Sequence, residues 1–83
     1  MNKKWLQQEI IQAKDQLEEI LVNLNDKNKY GLNEFEFDVQ HAYTHLNIAY
    51  NTREWDDEQI NKFSDADYSN VKKTPKDLIF VES

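Results

Sequence analysis

The chain contains no cysteine, one glycine and one proline in 83 residues. Without thiols there is no disulfide framework, thiolate zinc site, iron–sulfur cluster or cysteine nucleophile. One glycine and one proline leave little turn chemistry for repeated tight hairpins, which argues for helices. Positive charge is also short, with 16 acidic residues against 10 basic ones and a net charge of −6. The only close basic groups are Lys3–Lys4, Lys27–Lys29 and Lys72–Lys73–Lys76. A phosphate backbone needs a clustered basic face, so nucleic-acid backbone binding is not expected, and an anionic membrane surface is disfavoured for the same reason. No apolar run approaches the length of a membrane span. Met1 to Leu6 opens like a secretory n-region, but Gln7, Gln8 and Glu9 follow at once, so no signal peptide is expected. The expectation is a cytoplasmic protein. Nine asparagines hint at an AT-rich bacterial genome.

A mass of 10.0 kDa implies one domain spanning residues 1–83. A compact chain of that mass keeps about 5,200 Å² of accessible surface. The core is then thin, with no room for an enclosed large cofactor.

What the chain does have is periodicity. In the first segment the apolar residues fall at Leu6, Ile10, Ala13, Leu17, Ile20 and Leu24, alternating steps of four and three. That is a seam of period 3.5, and it predicts a helix over about 2–25. A second seam, Phe35, Val39, Ala42, Leu46, Ala49 and Arg53, predicts a helix over about 34–54. Asn33 stands as its N-cap with Glu36 at the third position, and Leu32 as a staple against Phe37. Antiparallel pairing puts Leu24 on Phe35, Ile20 on Val39, Leu17 on Ala42, Ala13 on Leu46, Ile10 on Ala49 and Leu6 on Arg53. The two numbers in every pair add to 59, so one register serves all six layers.

Tyr43 and Tyr50 widen the apolar face of the second helix. The residues after Trp55 are the natural cover. Asp56 to Gln59 open a short third helix, about 57–65, with Ile60 and Phe63 as its buried side and Ser64 to Asp67 as its end. Residues 66–83 read as an irregular tail, with Leu78 to Val81 as an extended apolar run. The predicted fold is all-α: an antiparallel helical hairpin covered by a short third helix and an extended C-terminal tail. The apolar residues after Trp55 suffice for one stripe, which favours a monomer over a homodimer. Trp5 and Trp55 are expected to cluster with Ile60 and Phe63 at the open end, where Arg53 can stack on tryptophan or pair with Glu54, Asp57 or the first helix.

Three constellations could carry chemistry. His41 and His45 stand four apart on one helix face, with Asp38 three residues before, a spacing that suits a divalent metal. A solvated flank is the blander explanation, and no other cofactor is expected. Asp65 to Asn70 imitates the opening of an EF-hand loop. The loop fails, because Asn70 stands where glycine is required and Lys76 where a bidentate glutamate is required. The segment from His41 to Arg53 is dense in residues favoured at interfaces, and Tyr43, Asn47, Tyr50, Asn51 and Arg53 are its candidate contacts. No nucleophile elbow or glycine-rich loop accompanies the many carboxylates.

The expected function is therefore non-enzymatic: a small acidic protein-interaction module, of regulator, immunity or inhibitor type, that binds another protein through a tyrosine-bearing helical face. The alternatives are a divalent-metal-binding protein using Asp38, His41 and His45, and an accessory subunit of an enzyme.

Overall fold

A computed structural model of the protein describes residues 1–26 and 30–78. Among them the fold is all-helical: α1 is Lys3–Leu24, α2 Leu32–Asn51, α3 Asp57–Asn61 and α4 Asp65–Val71. The two long helices pack against each other in antiparallel sense, and α4 lies on α2. No helix among the described residues is long and apolar enough to cross a membrane. Ile79, Phe80 and Val81 of the predicted extended run lie outside the described residues.

Local capping explains where the helices begin. The Asn2 side chain accepts from Trp5 N at 2.9 Å and starts α1. Helix α2 begins earlier than the Asn33 cap predicted. Its N-cap is Gly31, whose N–H donates to Glu34 Oε2 at 3.1 Å. Leu32 is then already helical, and it and Phe37 are each 71% exposed, so the expected staple does not form. Asp56 and Gln59 exchange hydrogen bonds of 2.9 and 3.0 Å in a capping box at α3.

The largest departure from expectation follows Ser64. That residue was expected to help end a helix, and it starts one. Ser64 and Asp67 form a second capping box, and α4 takes in Asp65, read as the end of the third helix, and 66–71, read as the head of an irregular tail. The EF-hand-like stretch is thus helical.

The interface between α1 and α2 also differs from the predicted seam. The buried residues of α1 are Glu9, Ala13, Gln16 and Ile20, while Ile10, Leu17 and Leu24 are half exposed. The buried residues of α2 are Ala42, Ile48 and Ala49. Trp5 Nε1 donates to Thr52 Oγ1 at 2.9 Å, and His45 Nδ1 lies 2.8 Å from Glu9 Oε2. The register adding to 59 would set Glu54 and Tyr50 opposite Trp5 and Glu9; the observed partners, Thr52 and His45, lie earlier in α2, a shift from that register at both points. Polar pairing accounts for the shift. A buried carboxylate or indole N–H needs a partner, and this register supplies one to each. Apolar periodicity takes no account of either.

The open end of the hairpin closes as expected. Trp5 and Trp55 both pack on Phe63, with ring centroids 5.2 and 6.1 Å away.

Candidate functional site

The segment from His41 to Arg53 divides into three jobs. The first is holding the return of the chain. Asn47 Nδ2 donates to Lys72 O at 2.9 Å, and Asn51 Nδ2 donates to Val71 O and Lys73 O at 2.7 and 2.8 Å. These are carbonyls at the C-terminus of α4, left without helical partners. Arg53 pairs with Asp77 at 2.8 Å and donates to Tyr50 O at 2.7 Å. Its guanidinium lies 4.0 Å from the centre of the Tyr50 ring. The expected partners of Arg53, a tryptophan face or Glu54, Asp57 and the first helix, are thus replaced by Tyr50 and Asp77. The hydrogen bond raises the pKa of Arg53 and holds the Asp77 carboxyl below its usual range. Asn47, Asn51 and Arg53 therefore bind within the chain.

The second job is an open apolar face. Tyr43 is exposed and Tyr50 half-buried. They border a groove of about 490 Å³ whose other walls include Leu6, Ile10, Leu46 and, from the returning chain, Pro75 and Leu78. The same face of α1 continues through Leu17, Leu21 and Leu24, spaced as residues on one helix face are. Ile10, Leu17, Leu21, Leu24, Tyr43 and Leu46 are between 41% and 63% exposed. Together they leave an apolar patch on the order of 300–600 Å² open, the size of the largest patch single folded chains expose.

The third is a polar cluster along the α1–α2 contact. His45 Nε2 lies 3.2 Å from His41 Nε2, while its Nδ1 is held by Glu9. Asp38 is not part of this cluster. It accepts from the Tyr30 hydroxyl at 2.6 Å, and burial together with that carboxylate pushes the Tyr30 phenol up to about 12. Among the described residues no group of three histidine, cysteine, aspartate or glutamate side chains is arranged to hold a metal ion. Glu9 went unnoticed in the sequence because it sits off the apolar seam. Its one signal is the 3.5 spacing it shares with Ala13, Gln16 and Ile20.

The fold and the face define a helical-hairpin protein of the all-α class. Compared with known proteins, the chain matches no protein-family model, no curated sequence and no solved structure.

Proposed function

We propose that this chain is a non-enzymatic protein-interaction module that works through the open apolar face, and that the occupant of that face is a second copy of the chain. The observation that carries the reading is the exposure of the α1 seam. Leu6, Ile10, Leu17 and Leu24 keep a 3.5 spacing, the period of a helix that packs along another helix. Yet α2 covers the neighbouring stripe instead. The α1 stripe of the open face is roughly 27 Å long from Leu6 to Leu24, and α2 adds Tyr43 and Leu46 beside it.

A second copy fits in area. At the upper end of that patch size, two such faces bury on the order of 1,200 Å² together, the lower bound of a stable protein interface. Two hairpins meeting face to face make a four-helix arrangement with Tyr43 inside. The surface of the chain, 6776 Å², exceeds the roughly 5,200 Å² of a compact chain of this mass. The radius of gyration, 14.8 Å, likewise exceeds the roughly 12 Å of a compact one. Both mark a chain more extended than a compact one of its mass. A small regulator that acts by assembling is the role this face supports.

Sedimentation equilibrium tests the reading. The expected result is a dimer at micromolar to millimolar concentration that Leu17→Lys converts to a folded monomer. Truncation after Leu78 should leave the dimer intact. A wild-type mass of 10.0 kDa throughout that range overturns the second copy as occupant.

A further inference from the structure

Independently of the docking face, we propose that His41 and His45 form a two-nitrogen chelate for a divalent transition-metal ion of the zinc and copper(II) class, with Glu9 as the positioning residue behind His45.

The geometry comes from three side chains on two helices. His41 and His45 are one turn apart on α2, and their Nε2 atoms stand 3.2 Å from each other. Two nitrogens each about 2.0–2.1 Å from a tetrahedral zinc ion stand about 3.3 Å apart, so the separation already matches one ion's bite. The His45 side chain is only 13% exposed and that of Glu9 10% exposed, which fixes the ring between α1 and α2. A carboxylate can only accept, so His45 Nδ1–H donates to Glu9 and the Nε2 of the neutral ring carries a lone pair. A carboxylate behind a histidine nitrogen is the arrangement that orients metal-binding imidazoles and raises their basicity.

Proton balance is simple. With both rings neutral and no metal, His41 Nε2–H donates to His45 Nε2. With metal, the proton of His41 moves to its Nδ1, both Nε2 lone pairs meet the ion, and no net proton is lost. Imidazole nitrogen favours zinc, copper(II) and nickel, whereas calcium and magnesium require oxygen ligands. Asp38, the third ligand expected from spacing, is held by Tyr30. The remaining positions on the ion fall to water or to a donor from another molecule. The site is therefore an open chelate, weaker than a closed four-ligand structural site.

The test uses the full chain and zinc alone, in a buffer that does not bind metal, with calorimetry and thermal unfolding. The expected result is one zinc per chain. At a hundredfold excess over the dissociation constant, the melting temperature should rise by on the order of 10 °C. His41 is exposed, so His41→Ala keeps the fold, checked by its helical circular dichroism, and should lose both the heat and the thermal shift. Glu9→Gln should keep one zinc per chain at about tenfold lower affinity. No zinc uptake at about 1 mM, or uptake unchanged in His41→Ala, overturns the chelate. Affinity unchanged in Glu9→Gln removes Glu9 from it.

Discussion

Two stripes run side by side along α1, and they have exchanged the surroundings their composition suggests. Glu9, Ala13, Gln16 and Ile20 are half polar and buried. Ile10, Leu17, Leu21 and Leu24 are wholly apolar and about half open. A helix that buried its most apolar stripe would do the reverse. The small residues Ala13, Ala42 and Ala49 are buried, and Glu9 pairs with His45 across the contact with α2. The apolar stripe is left for another surface. In a small chain, the stripe that sets the fold and the stripe that offers the most hydrophobic energy can be different.

The sharpest way to break that contrast is to orphan the buried carboxylate. His45→Ala leaves Glu9 unpaired between the helices and should destabilise by about 3 kcal/mol in urea unfolding. Replacing both residues by leucine should be neutral or stabilising, since an apolar pair needs no partner. A cost under about 1 kcal/mol for His45→Ala contradicts the account of the register.

Next comes a matched pair of truncations. Ile20 is buried and Leu17 half exposed. Ile20→Ala should cost about 2–4 kcal/mol. Leu17→Ala, a core truncation under the seam register, should cost about 1 kcal/mol or less in the monomer, measured at low concentration. Equal losses would erase the distinction between the stripes.

How much of this was legible in the residues depends on which force was deciding. The two long helices were, because Leu6 to Leu24 and Phe35 to Ala49 keep an unbroken period without glycine or proline. So was the aromatic plug at Trp5, Trp55 and Phe63, which needs only that the hairpin ends meet. The register was not, because Glu9 looks like a solvent-facing residue until its partner His45 is known. Helix α4 was legible in principle. Ser64 with Asp67 three residues on is a capping signature, outweighed in the reading by the acidic, turn-like composition around it. For the candidate contacts, composition could not separate Tyr43, which stays open, from Asn47, Asn51 and Arg53, which hold the chain's own return.

That return offers a smaller test. Asn51→Ala leaves the Val71 and Lys73 carbonyls without their amide donor and should cost about 1 kcal/mol, with faster amide exchange in α4 and little change at the Trp5 end of α1. Uniform loosening of the whole chain would contradict the division of labour in α2.

Smallest are the pH effects. Asp77 is held below its usual range by Arg53. The stability it lends is whole above the ordinary aspartate pKa and lost as pH falls through the lower folded value, so Asp77→Asn should flatten the acid limb of the stability curve below about pH 4. Tyr30 is pushed up to about 12. Its contribution is whole below the ordinary phenol value and lost as pH rises through about 12, so Tyr30→Phe should flatten the decline that begins near pH 10. Curves that superimpose on wild type would remove either group from the account.

The central claim, that the apolar stripe beside the buried one is a binding surface, is tested most directly by a dilution series followed residue by residue in NMR spectra. The account predicts that signals of Ile10, Leu17, Leu21, Leu24, Tyr43 and Leu46 move together with concentration, while those of Ala13, Ile20 and Ala42 hold still. Spectra independent of concentration up to about 1 mM, or shifts confined to the His41–Glu9 side of the hairpin, would contradict it.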